Sequence, residues 1–215
     1  MDTNIFTGDG EFIDVTGQIL SGMQFHDCRQ AAHCMLYADA TLPFKEYDKV
    51  YFPRAAVHMQ WRFDGHIGFP GGMVDPGETP VQTINRELVE ESGIEMNRVV
   101  LGPEDLLYVH LSRTTNTLLY FYVKKISLQQ IEEIERSTVS RGDFGREVLG
   151  LVRPPLYTIA DGYRGFPAFL DSPFIGNAKQ QLLLGLLLKN IMSQKEIMEA
   201  LAKTKAGLPF KSLTC

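Results

Sequence analysis

The stretch that decides the fold is Gly72–Ile94, GMVDPGETPVQTINRELVEESGI. Thr79 followed by Pro80 and Gln82 reads as the start of a helix. The threonine suits the N-cap, the proline the first helical position, and the glutamine closes a capping box. Val81, Ile84 and Leu88 recur at helical spacing as the buried stripe, and Gly93 is the expected left-handed stop. Glu87, Glu90 and Glu91 then project together near the helix C-terminus. Like charges at these spacings cost about 0.2–0.5 kcal/mol per pair, and the helix dipole favours cations there. A divalent cation would remove both penalties, and carboxylates suit magnesium or manganese. Arg86 is placed to pair with Glu78 or another carboxylate and so fix the helix against its loop. Ahead of it, Gly68–Gly72 (GFPGG) reads as a turn whose glycines could aim a backbone carbonyl at the same cation.

Gly72, Glu78, Arg86-Glu87-Leu88, Glu90-Glu91 and Gly93-Ile94 stand at the spacings of the Nudix box, and the chain resembles the Nudix hydrolases. That resemblance implies a nucleoside diphosphate linked to a further group as substrate, and hydrolysis of its pyrophosphate. It implies Glu87 and Glu91 as metal ligands, with the Gly71 carbonyl completing the site. Glu90 is a ligand or the base that takes a proton from water; spacing does not decide between them. The metal would be Mg2+ or Mn2+.

Composition fits an ordinary enzyme of 215 residues with 44% hydrophobic content, enough for a substantial core in one domain, 1–215, with 1–30 and 205–215 peripheral. The three cysteines form neither an even framework nor a zinc spacing, which points to a reducing compartment. No secretory leader is read at the N-terminus, and the apolar run Leu182–Leu188 is far short of a bilayer span. A cytoplasmic or nuclear protein is expected. The net charge of −5 argues against a broad nucleic-acid footprint but not against a pocket gripping one nucleotide or a cap.

The remaining pattern predicts an α/β order with a mixed sheet between helical layers, the sandwich of the Nudix family. Strands are expected at 31–37, 57–63, 106–111, 117–124 and 147–153, and helices at 127–137, 174–190 and 193–204, the last ended by Gly207. In 57–63, Val57, Met59, Trp61 and Phe63 alternate as core against His58, Gln60 and Arg62. The leucine-rich helix is read as core in preference to a subunit contact.

Four segments beyond the box, AAHCMLYA, MQWRFDGHIGFPGG, EVLGLVRPPLYT and FIGNAKQQLL, are similar to the small-nucleolar-RNA-decapping Nudix enzymes of animals. Those enzymes also hydrolyse inosine diphosphate and related purine nucleotides. The match runs from about Ala31 to Leu183. It implies nucleotide contacts by His33, Arg62 and Phe69, a contact to the base by Gln181, and a place for His110 at the metal site. The loop after His110, SRTTNT, departs from the family pattern. Arginine offers a planar fork for phosphate, phenylalanine a stacking face, and glutamine paired hydrogen bonds for a purine edge. His26, His58 and His66 have no partner at ligand spacing. Pocket walls are expected from loops 39–50 and 112–116. The resemblance further implies a homodimer in the nucleus, including nucleolus and nucleoplasm, and the cytoplasm.

Three functions follow: an RNA-decapping enzyme, a house-cleaning inosine diphosphatase or ADP-ribose-processing hydrolase, and a binding module. The last has a precedent in a relative that lost its box glutamates. The intact Glu87, Glu90 and Glu91 count against it.

Overall fold

The computed structural model describes residues 10–39, 42–46, 48–92, 99–140 and 143–205. The strands are β1 Phe12–Asp14, β2 Arg29–Asp39, β3 Phe44–Glu46, β4 Lys49–Tyr51, β5 Ala55–Val57, β6 Met59–Arg62, β7 Ile67–Gly68, β8 Gly71–Met73, β9 Leu106–Ser112, β10 Thr117–Lys125 and β11 Val148–Val152. The helices are α1 Thr16–Leu20, α2 Pro80–Ser92, α3 Leu128–Thr138, α4 Phe166–Leu170, α5 Ala178–Leu188 and α6 Gln194–Ala202.

A mixed six-stranded sheet runs β1-β9-β10-β2-β5, with β8 also on β2. Its β10–β2 pair is parallel and the others antiparallel. Strands β11, β6 and β7 form a second sheet, and β3–β4 a hairpin.

Alternation along β2 and β10 divides the core in two. Ala32, Cys34, Leu36, Leu118, Tyr120 and Tyr122 face Ile84 and Leu88 of α2 and Ile131 and Ile134 of α3. On the other face, Met35, Tyr37, Phe121 and Val123 meet Leu182, Leu183 and Leu186 of α5, with α4 and α6 behind. Burying each of the leucine, isoleucine, valine, methionine and phenylalanine side chains among them contributes about 1.5–3 kcal/mol. The leucine-rich helix is thus core along one side, with Leu188 half exposed at its end.

Several expected elements change shape. The expected strand at 57–63 is two strands in different sheets, because β5 pairs with β2 while β6 pairs with β7 and β11. Its alternation inverts after the break: Gln60 is buried, whereas Trp61 and Phe63 are exposed. The expected turn at 68–72 is the passage between sheets, from β7 through Phe69-Pro70 into β8. The expected helix at 174–190 begins only at Ala178, since Phe174 bridges to Ile67. Gly93 and Gly207, read as helix stops, lie outside the described residues.

Candidate active site

Thr79 and Gln82 form the expected capping box, with the Gln82 Oε1 accepting from the Thr79 N–H at 2.8 Å. The stripe of α2 buries Ile84 and Leu88, while Val81 is only partly covered. Asn85 ties the helix down further, donating to the Leu101 carbonyl and accepting from its N–H.

Arg86 organises the acidic side. Its Nε donates to Glu78 Oε1 at 3.0 Å, and its Nη1 to Glu87 Oε1 at 2.8 Å and Glu90 Oε2 at 3.0 Å. The Arg86 bond, joined by one from the Thr83 hydroxyl, holds the Glu78 carboxyl down at about 2. The repulsion expected between Glu87 and Glu90 is therefore countered by a guanidinium inside the fold.

Glu91 turns the opposite way, into the protein, and is 4% exposed. Its Oε2 accepts the Gly71 N–H at 3.0 Å. Burial pushes its carboxyl up to about 8, against the opposing Gly71 bond and the charge of Arg62. Burial raises Glu87 as well.

Two glycines explain the approach. Gly71 has a φ of 137°, and a Cβ there would collide with the Ala32 carbonyl of the adjoining strand. A Cβ on Gly72 would collide with the Glu87 carboxylate. Strand β8 thus lets α2 press two carboxylates against the sheet.

An all-oxygen set of carboxylates, one stripped of water, suits a hard divalent cation. Among the described residues, however, no three His, Cys, Asp or Glu side chains are already gathered to hold a metal. Glu87 and Glu90 point at Arg86 instead, so a cation here must compete with that guanidinium.

A cavity of about 560 Å³ opens on the sheet face opposite α2. His33, Arg62, Phe69, Gln181, Gly71 and Gly72 all line it. The Nδ1 of His33 and the Nε2 of Gln181 are sealed from solvent without a hydrogen-bond partner among the described residues. Burial, with a contribution from Arg62, takes the His33 ring down to about 4, so it is neutral. Arg62 is braced by Asp64, which accepts from Nε and Nη2 at 3.3 Å each. The Phe69 ring is 2% exposed and packs on Phe121 at 5.1 Å, so the stacking face expected of it is taken up by the core.

Residues the sequence reading did not single out complete the wall: Arg29, Thr117 and Asn177. The loop at 112–116 contributes as expected, but no described residue of 39–50 does.

His110 is on the cavity side of the sheet, away from α2. It is 2% exposed, lies 4.5 Å from the Tyr108 ring, and has Nδ1 3.4 Å from the Asn177 amide. The structure does not bring it to the box carboxylates, as alternation with Val109 sends the two to opposite faces. A second depression, about 530 Å³, runs along the outer side of α2 between Val81, Val89, Val100 and Leu101. Gln82, Asn85, Arg86 and Glu90 also line it, whereas the unpartnered nitrogens of His33 and Gln181 belong to the first cavity.

The chain matches, over residues 30–192, the family described as "Nudt16-like: U8 snoRNA-decapping enzyme-like". It is 41% identical over 167 residues to a U8 snoRNA-decapping enzyme of Homalodisca vitripennis, covering 78% of this chain and 88% of that one. The mouse U8 snoRNA-decapping enzyme is 42% identical over 158 residues, 73% of this chain and 80% of its own. The human Tudor-interacting repair regulator protein is 39% identical over 179 residues, 82% of this chain and 80% of its own. Among solved structures, a MutT/nudix family protein from Listeria innocua superposes with a TM-score of 0.46 at 15% identity, covering 81% of this chain and 99% of that chain. With its box intact and these relatives spanning most of its length, the chain belongs to the U8 snoRNA-decapping enzyme-like family of Nudix hydrolases.

Proposed function

We propose that this enzyme removes caps from RNA and hydrolyses inosine-type purine nucleoside diphosphates, using Mg2+ or Mn2+. One observation carries the reading. Gly71 and Gly72 are a wall shared by the cavity and the acidic helix, contacting Glu91 and Glu87 on one side and lining the pocket on the other. A purine nucleotide seated there would bring its pyrophosphate to the carboxylates.

Nudix hydrolases use divalent metal ions, which shield phosphate charge and acidify bound water. Here Glu87, Glu91 and the Gly71 carbonyl would hold the metal, with Glu90 the proton acceptor. His33 and Gln181 offer unused hydrogen-bonding capacity to base or sugar, and Arg62 and Arg29, which line the same cavity, would meet the phosphates. Glu90, half exposed on the solvent side of the cluster, takes one proton from water. The water oxygen bonds to one phosphorus as the anhydride P–O bond breaks, releasing the capped nucleotide and leaving a 5′ phosphate on the RNA. The intact glutamates favour an enzyme over a pure binding module, even though proteins named for Tudor interaction are among its relatives.

Rates on capped RNA, inosine diphosphate and ADP-ribose, each with Mg2+ and with Mn2+, test the proposal. Capped RNA and inosine diphosphate should both turn over. Inosine diphosphate cleaved far faster than capped RNA would demote decapping, and activity on ADP-ribose alone would replace both. A homodimer, and residence in nucleus and cytoplasm, are supported only by the likeness to the decapping enzymes. Light scattering and imaging of the tagged full chain test them. No described helix is long and apolar enough to cross a membrane.

A further inference from the structure

Strand register orders the floor of the cavity. His33 of β2 stands opposite Gly71, whereas Arg29 stands opposite Thr117 of β10, which faces Ser112 of β9. All five line the cavity. Arg29 therefore leaves the sheet about 13 Å from the Gly71 wall, at about 3.3 Å per strand residue. Arg62, the other cavity arginine, is paired with Asp64. Among the described residues Arg29 has no such carboxylate, and its Nη2 meets the Thr115 carbonyl at 3.3 Å. The loop that carries this carbonyl is gripped from both sides by the first thirty residues. Glu11 accepts from the Ser112 hydroxyl at 2.7 Å, the Thr114 N–H at 3.1 Å and the Thr114 hydroxyl at 2.7 Å. Asn116, at a φ of 47°, accepts from the Cys28 thiol at 3.3 Å and donates to the Asp27 carbonyl at 3.1 Å. The Glu11 carboxylate is thus taken up by the loop, while the Arg29 charge is left to the cavity.

We propose that Arg29 is a specificity-determining residue that takes a phosphodiester of the RNA beyond the cap, with Glu11 holding the 112–117 loop as its brace. This rests on the reading that the pyrophosphate is cleaved at the Gly71–Gly72 wall. A cation without a counter-charge in a cavity calls for an anion, and the guanidinium fork suits phosphate. A nucleoside diphosphate seated at Gly71 carries no charge so far from its anhydride, since its other end is sugar and base. Capped RNA does, because its chain continues as phosphodiesters. Arg29 would thus favour the longer substrate without touching the reacting atoms.

The test is steady-state kinetics of Arg29→Gln on three substrates: a short capped RNA, a cap dinucleotide with no phosphodiester beyond its bridge, and inosine diphosphate. KM for capped RNA should rise about tenfold, as for a lost charged hydrogen bond, with kcat kept. KM for the other two should stay within about twofold of the parent's. The dependence of log KM on log salt for capped RNA should flatten by about 0.7, the share of one phosphate contact on a single strand, and Arg29→Lys should restore it. An unchanged KM for capped RNA overturns the proposal. So does an equal rise on the dinucleotide, which would assign Arg29 to the bridging phosphates, or on inosine diphosphate, which would make its role structural. Should Arg29→Gln fail to fold, Glu11→Ala frees the loop instead: a KM rise confined to capped RNA supports the role, and a rise on all three substrates or on none overturns it. A parent that cleaves inosine diphosphate but not capped RNA overturns both this role and the decapping reading. Normal decapping by Arg29→Gln overturns this role alone.

Discussion

On one side of the six-stranded sheet, α2 delivers Glu87, Glu90 and Glu91 from a single helical stretch. On the other, the cavity draws His33 from β2, Arg62 from β6, Ser112 from β9 and Gln181 from α5. The first region is held mainly by local interactions: a capping box, an apolar stripe and one arginine bonded to three glutamates. The second exists only because distant strands are brought into register. The difference teaches that the chemistry and the recognition of this enzyme tolerate change differently. A substitution on the helix should strike turnover, whereas one in the cavity should strike substrate affinity.

Glu91→Gln should break that comparison hardest. We expect turnover to fall by more than the roughly 100-fold that a supporting residue commands. The fold should survive, because a neutral amide replaces a carboxylate that burial already disfavours in its charged form. Turnover assays paired with thermal melts check this, and a variant that unfolds would show the carboxylate to be structural. Arg86→Met comes next. Freed from its guanidinium, Glu87 and Glu90 repel each other, and we expect turnover to drop about 10-fold or more. Urea unfolding should show a loss of about 1 kcal/mol, modest because several of the bonds are solvent-accessible. Stability unchanged in metal-free buffer would mean that the arginine network does not support the helix.

Gln181→Leu sharpens the cavity side. Its amide nitrogen has no partner within the described fold, so the protein should lose no stability. KM for the nucleotide should rise about tenfold, the worth of about 1.4 kcal/mol, with kcat nearly kept. Steady-state kinetics decide it, and a fall confined to kcat would move Gln181 into the chemistry.

The smallest effect concerns His58, buried in neither region with both ring nitrogens unpartnered among the described residues. Burial takes its ring from 6.5 to about 4. Because the folded pKa is depressed, the unfolded chain binds the proton first as pH falls. The contribution of His58 is therefore complete above pH 6.5 and lost between 6.5 and about 4. Urea unfolding at pH 7 and pH 5 should show a smaller acid loss for His58→Leu than for the parent. Equal losses would assign the acid sensitivity elsewhere, with His33 in the cavity as the next candidate.

Much of the helix was legible from residue order, because capping, periodicity and glycine placement act over a few residues. Thr79 and Gln82 pair as their spacing predicts, and Arg86 reaches Glu78 as expected. The inward turn of Glu91 was not legible, since it depends on Gly71 arriving from another strand. Nor was the burial of Gln60 and the exposure of Trp61. A period-two pattern does not reveal that a strand breaks and its second half joins another sheet. Phe69, placed beside a glycine turn, reads equally well as a stacking surface until Phe121 is seen against it.

Sequence by itself determined the acidic helix, its cap, its apolar stripe and the family to which they point, because those signals are local and carried by residue type at fixed spacing. Only the tertiary structure decided which carboxylate is buried, which histidine stays away from the box glutamates, and which residues of β2, β6, β9 and α5 share a cavity. Those outcomes depend on strand pairing, desolvation and the meeting of side chains far apart in the chain, none of which is encoded at any single spacing.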